Sequence, residues 1–233
     1  KSPQINNLKF QNYDIFILCS SITSIQYCER KPILSKKINV DGLKYVIKKI
    51  LHTKKKLILL SSSAVFNGKK EFYIEDDYRK PINNYGKHKK EIEEYIKKNS
   101  KNYAILRLTK VDITLIPLIS EWIKNLNNNF SIKPFSNKYL SPVPISSVLS
   151  ALIILMDKKN IGIFHLSCKD EINYLKVGEI ISNYFKYNPK LIIKDNQKLL
   201  DRKFTTLRTS KIFKNINYSK SKLVIKKLIM QYF

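Results

Sequence analysis

The apolar positions of this chain fall into two rhythms. YDIFILCSS and KLILLSSS are continuous apolar runs that stop at small hydroxyl residues, the pattern of buried strands whose ends open onto a site. Between them Ile38, Leu43, Val46, Ile47 and Ile50 recur at helical spacing. A strand, a helix and a second strand with this much intervening chain predict a right-handed parallel crossover. Tyr85 to Lys98 reads as a further helix, with Glu91, Glu93 and Glu94 set against lysines, and YAILRL as a third strand. The order predicts an α/β fold with a Rossmann-like, doubly wound parallel sheet, in which ligands bind off the carboxyl ends of the strands. Ser20, Ser21, Ser61, Ser62, Ser63 and Thr109 fall at such ends.

From Asp112 the pattern changes. TLIPLISEWIKNL, VLSALIILM and LKVGEIISNYF read as helices and GIFHLSC as a short strand. FSIKPFSNKYLSPVPISSV reads as irregular, and KLIIKDNQKLLDRKFTTLRTSKIFKNI as a strand followed by a basic loop and a short helix. A boundary near residue 111 divides the chain into 1–111, a partial Rossmann-like part carrying the candidate site, and 112–233, a smaller α/β part expected to bind substrate. The segment between Asn67 and Asn84 reads as a loop too long for a mere connection, placed over the end of the sheet.

Composition narrows the class. At 233 residues and 43% hydrophobic content the chain can bury a sizeable core. No apolar run approaches the roughly 18 residues that span a bilayer, so a soluble, cytoplasmic protein without a membrane partner is expected. Cys19, Cys28 and Cys168 are widely spaced and form no ligand cluster with the three histidines, which points to free thiols and no metal site. The net charge of +26 would ordinarily suggest nucleic acid. The excess is almost all lysine, however, with five arginines and abundant Ile and Asn, a set that A/T-rich codons explain without a polyanionic partner.

The candidate chemistry lies between Lys56 and Lys89. Tyr85 and Lys89 are four apart, on one helix face, where an ammonium can favour the phenolate and fit the phenol for acid/base work. Tyr27/Lys31, Tyr45/Lys49 and Tyr218/Lys222 share the spacing but not the context of a serine-ended strand upstream and a strand downstream.

The serine-ended strand, the Tyr-Gly-Lys-His-Lys helix, the ILRL strand and the basic carboxyl-terminal loop together resemble the extended short-chain dehydrogenase/reductases, and within these the dTDP-4-dehydrorhamnose reductase group. The resemblance implies an NAD- or NADP-dependent reduction or epimerisation of a nucleotide-linked keto-sugar. It implies Tyr85 as proton donor, Lys89 as the lysine that lowers its pKa and meets the nicotinamide ribose, and Ser62 as the hydroxyl on the substrate carbonyl. Ser20 and Ser61 join Tyr85 and Lys89 on the cofactor side, and Ser63, Ser141 and Arg202 lie on the substrate side. Asn39, in INVDG, is implied to be structural, with a helix cap as its simplest role.

The departures also carry expectations. None of Gly42, Gly68, Gly86, Gly162 and Gly178 forms the glycine-rich turn that lets a backbone approach a pyrophosphate. Tyr13 to Cys19 matches the family's fourth strand, and the chain opens at Lys1, so its start reads as cut, with one edge of the sheet uncovered. Weak cofactor binding by these 233 residues is therefore expected. The alternatives are a non-catalytic sugar-nucleotide-binding or regulatory subunit of the same fold, as in the similar methionine adenosyltransferase subunit, and, less favoured, a basic nucleic-acid-binding protein. A homodimer is compatible with either of the first two.

Overall fold

The computed structural model describes residues 8–196, 203–216 and 220–233. Its strands are β1 (Ile15–Leu18), β2 (Lys56–Ser62), β3 (Tyr103–Leu108), β4 (Lys110–Val111), β5 (Tyr139–Leu140), β6 (Pro142–Val143), β7 (Gly162–Leu166) and β8 (Ile172–Asn173). The helices are α1 (Ile25–Arg30), α2 (Pro32–Lys36), α3 (Leu43–Leu51), α4 (Asn84–Asn99), α5 (Ile116–Asn127), α6 (Ile145–Met156), α7 (Tyr174–Phe185) and α8 (Ser221–Tyr232). Among the described residues no helix is long and apolar enough to cross a membrane.

The main sheet has the order β1-β2-β3-β7, and β1 pairs with β2 in parallel, from Ile15 opposite Lys56 to Leu18 opposite Leu59. With helices flanking the strands, this is the Rossmann-like α/β arrangement that the apolar runs predict. Leu57, Ile58 and Leu59 are successive and all buried, so both faces of β2 are covered. β1, last in the order, is half-buried, and Ile17 on it is exposed.

The chain forms two compact units. The first comprises residues 1–67, 75–107 and 152–165, the second 68–74, 108–151 and 166–233. In the first, Val40, Leu43, Ile47 and Ile50 pack with Leu57 and Leu59 of β2, Ile105 of β3 and Ile92 and Ile96 of α4. Each such side chain contributes roughly 1.5–3 kcal/mol through burial. Lys56 opens β2 with its stem buried, and its Nζ donates to the carbonyls of Asp157 and Asn160 at 2.5 and 3.0 Å. In the second unit Ile119, Trp122 and Leu126 of α5 meet Val177, Ile180 and Ile181 of α7 and Ile225, Leu228 and Ile229 of α8.

Two segments differ from their sequence patterns for local reasons. The helical spacing from Ile38 to Ile50 begins in a π-helical stretch, Lys37–Gly42, which joins α3 to α2, a short helix opened by Pro32. The run KLII forms no strand among the described residues. Pro189 and the Asn188 side chain, which accepts the Lys190 N–H, wind Pro189–Leu191 into a 3-10 turn, and single parallel bridges follow at Ile192 and Asp195.

Candidate active site

The first unit's site is built where α4 runs across the end of β2. Strand alternation sends Ser61 and Ser62 to opposite faces. Ser62, extended at φ −145° and ψ 150°, caps the 3-10 turn Ser63–Val65 by accepting the Ala64 N–H at 3.1 Å. That bond uses an acceptor lone pair and leaves the hydroxyl proton to donate. Asn83 caps α4 by accepting the Gly86 N–H at 2.8 Å, and the Glu29 carboxylate accepts the Asn84 N–H at 2.6 Å. These bonds fix the first turn of the helix, which carries Tyr85.

Three residues on one stripe of α4 dock it. Gly86 lies so close to the turn after β2 that a Cβ there would stand 2.1 Å from the Ala64 carbonyl oxygen and 2.9 Å from Pro81 Cβ. Lys89 donates its Nζ to the Leu60 carbonyl at 3.0 Å. Glu93 accepts the Ser61 hydroxyl at 2.5 Å. Consecutive spacings of three and four put all three on the same helix face.

The Tyr85 ring is buried in a cluster with Cys28 and Ala64, with Ile22 and Ile25 against it. A surface aromatic on a lysine-rich helix would have none of this cover. Lys89 Nζ stands 5.8 Å from the Tyr85 ring centroid. Tyr45 and Lys49 show nearly the same separation, 5.3 Å, so the distance is a property of the spacing alone. What sets Lys89 apart is burial: its ammonium is pushed down to about 8 by desolvation, an effect opposed first by Glu93 and then by Cys19. An ammonium that loses its proton near neutrality can take part in proton transfer that an ordinary surface lysine cannot.

On the same helix lies an ion cluster that differs from the pairing of all three glutamates with lysines that the sequence pattern suggests. Of the three α4 glutamates, Glu91 pairs with Lys44 and Glu94 with Arg79 and Lys90. Glu93 is completely buried. Arg107 of β3, also completely buried, grips it through Nε at 3.0 Å and through the terminal nitrogen at 2.8 Å, and Arg79 reaches it at 3.1 Å. Arg107 spends its other terminal nitrogen on the Glu75 carbonyl and on His165 Nε2, both at 3.1 Å. The signal was in the strand itself: an arginine inside YAILRL cannot be buried without a carboxylate.

Asn39 is placed by the π-helical stretch, a feature common at functional sites. Rather than capping a helix, its Oδ1 accepts the Ile22 N–H at 2.7 Å and its Nδ2 donates to the Ile22 carbonyl at 2.9 Å, which ties down the chain leaving β1. Ser20 is exposed in that segment. Ser61 is committed to Glu93, and Ser63 is buried in the 3-10 turn. Ser141 belongs to the second unit and is completely buried, with its Oγ 3.0 Å from Ser167 Oγ and accepting the Cys168 N–H at 3.0 Å. Arg202 lies outside the described residues.

The fit to a nicotinamide dinucleotide is uneven. Lys89 keeps two ammonium protons beyond the one given to Leu60, and Ser62 keeps its hydroxyl proton, so the end of β2 has donors for the nicotinamide half. Among the described residues no glycine-rich turn follows a strand to give a pyrophosphate close backbone approach. Gly86, the glycine nearest the candidate residues, has its space filled by Ala64.

Comparison with known proteins agrees with this architecture. The chain is 22% identical over 183 residues to methionine adenosyltransferase 2 subunit beta of Pongo abelii, covering 73% of this chain and 54% of that protein. It is 24% identical over 196 residues to a probable low-salt glycan biosynthesis reductase of Haloferax volcanii, covering 81% and 65%. The chain thus spans about half to two thirds of the length of these curated relatives. Among solved structures, dTDP-4-dehydrorhamnose reductase from Bacillus anthracis, in complex with NADP, superposes with a TM-score of 0.83 at 18% identity over 97% of this chain and 85% of that one. A family model described as the RmlD substrate binding domain matches residues 5–222, almost the whole length, and the chain belongs to that family.

Proposed function

We propose that the chain carries the proton-delivery half of an NAD(P)-dependent reduction or epimerisation of a nucleotide-linked keto-sugar. The observation that carries this reading is the pairing of a buried Tyr85 with a buried Lys89, both held at the serine-ended terminus of β2. In it Tyr85 gives its phenolic proton to the sugar carbonyl oxygen, and Ser62 donates a hydrogen bond to the same oxygen. Lys89, with its ammonium near 8, stabilises the phenolate left behind and supports its reprotonation. A bound nicotinamide dinucleotide would supply the hydride. Lys89 would meet its ribose, with Tyr85 and Ser20 on the same side, and Ser61 would act through Glu93.

The carboxyl-terminal part, 112–233, is proposed to receive the sugar nucleotide. Ser63 and Arg202 would touch it, and Ser141, whose hydroxyl is buried, would contribute by shaping the backbone. Support comes from family membership and from relatives named as a reductase and solved with NADP. The experiment is NADPH-dependent reduction of dTDP-4-dehydrorhamnose by wild type and by Tyr85→Phe. Loss of turnover in the variant is expected, and equal turnover would exclude Tyr85 as the acid.

A second reading is favoured by the likeness to methionine adenosyltransferase 2 subunit beta: a non-catalytic subunit that binds sugar nucleotide on the same fold. It is distinguished by calorimetric titration of the chain with NADH and NADPH. Negligible heat with either cofactor, together with saturable binding of a nucleotide sugar and no turnover, would favour it.

A further inference from the structure

We infer that Glu93 is a positioning residue that holds Lys89 charged and seats α4 on the end of β2, a role that deepens the acid chemistry proposed above and rests on that reading. The geometry is specific. Glu93 is one helical turn beyond Lys89, so the two share a helix face at a typical separation of about 5–6 Å between Cβ atoms. Both reach consecutive residues of the same strand, Lys89 the carbonyl of Leu60 and Glu93 the hydroxyl of Ser61. The carboxylate is therefore a fixed negative charge beside the lysine, and it cannot turn away, because Ser61, Arg107 and Arg79 all hold it.

A buried carboxylate with two arginines could serve stability alone. The groups around Lys89 separate that role from the one inferred. On its own helix Lys89 faces Tyr85 and Glu93, from β2 the Leu60 carbonyl, and from the end of β1 the thiol of Cys19. Among these Glu93 is the strongest influence opposing the desolvation that strips Lys89 of its proton. Arg107 and Arg79, as cations held on the same carboxylate, would act on Lys89 with the opposite sign, and Arg79, only partly buried, can be removed without emptying the core. Two substitutions thus push the same lysine in opposite directions, whereas a purely structural role for Glu93 supplies no reason for that pattern.

The test reads Lys89 directly. In the full chain labelled with 15N-lysine, the Lys89 Nζ resonance is assigned by its loss in Lys89→Arg and titrated through neutral and alkaline pH. Glu93→Gln is expected to lower the Lys89 midpoint by about one to two pH units, since it removes the anion that most opposes the loss of the Lys89 proton and leaves both arginines. Arg79→Ala, which keeps the Glu93–Arg107 pair and should fold normally, is expected to raise it by about half a unit. An unchanged midpoint in a folded Glu93→Gln protein, or an unchanged or lowered one in Arg79→Ala, would overturn the inference. Should Glu93→Gln not fold, the Arg79→Ala shift decides. The titration needs neither cofactor nor turnover, so a protein inactive on keto-sugars would sink the proposed function while leaving this result to stand or fall by itself.

Discussion

Gly86→Ala is the sharpest perturbation of the site's architecture, because two known quantities act against each other. In a helix alanine is favoured over glycine by about 1 kcal/mol, and at an unobstructed position the change would stabilise α4. Here the new methyl would sit 2.1 Å from the Ala64 carbonyl oxygen, with Pro81 Cβ at 2.9 Å closing the other side. A backbone oxygen cannot rotate away as a side chain can, so the first turn of α4 must retreat by about 1 Å. Overpacking of this kind costs about 1–3 kcal/mol, and more when backbone is the obstacle. The net expectation is a loss of about 2 kcal/mol, which for a chain of this size lowers Tm by roughly 4–8 °C. Urea unfolding followed by circular dichroism should show a lower midpoint with an unchanged slope. The same retreat lengthens the Lys89–Leu60 bond and lets water reach the ammonium, so the Lys89 midpoint should rise from about 8 toward the ordinary 10.5. A variant as stable as wild type, or more stable, would refute the docking of α4 against Ala64 and with it the positioning of Tyr85.

Other outcomes follow from the buried charges and thiols. Lys89 has a depressed folded-state pKa, so its cost to stability is present below about pH 8 and is relieved as pH rises toward 10.5. Relative to Lys89→Met, wild type is therefore expected to gain on the order of 3 kcal/mol of stability between neutrality and about pH 10.5, read by thermal unfolding across that range. Glu171, which accepts the Thr205 and Thr206 N–H groups at 3.1 and 2.8 Å, has its carboxyl raised above 4.5 chiefly by burial. It stabilises most below the ordinary carboxylate range, and that contribution is lost as pH rises through the raised value, so Glu171→Gln should flatten the slope of Tm against pH from about pH 4 upward. Alkylation followed by peptide mass spectrometry should modify Cys19 first, because Cys28 and Cys168 are buried and burial pushes the Cys168 thiol up to about 12. Prior reaction at Cys168 would contradict its packing.

The apolar runs made β1, β2, β3 and β7 legible; in β2 and β3 the run reflects cover on both faces, whereas β1 keeps it although Ile17 is exposed. They also made α5, α6 and α7 legible, because an apolar stripe or block of that length has few other uses, while α4 was legible from its glutamates spaced against lysines. The two-residue strands β4, β5, β6 and β8 left no such trace, since their pairing depends on tertiary neighbours rather than on local pattern. At the site, Tyr85 and Lys89 could be singled out by spacing and context, and Gly86 lay between them without its purpose being visible. Glu93 was hidden among Glu91 and Glu94, which differ from it only in helix phase. Its partner Arg107 was the better clue, a single charge in an otherwise apolar strand. Asn39 reads as a cap in sequence because nothing local announces a π-helical turn, and only the bonds to Ile22 reveal what its amide does.

In the function proposed for this chain Tyr85, backed by Lys89 and Ser62, delivers a proton to a keto-sugar during hydride transfer. Its most direct test is keto-sugar-dependent oxidation of NADPH, measured by absorbance with dTDP-4-dehydrorhamnose as substrate and NADPH at millimolar concentration. Turnover by wild type that falls by about 10²-fold or more in Tyr85→Phe is the expected result, in keeping with the loss of a general acid. Turnover that survives the substitution undiminished, or a wild-type chain that binds both ligands and transfers no hydride, would contradict it.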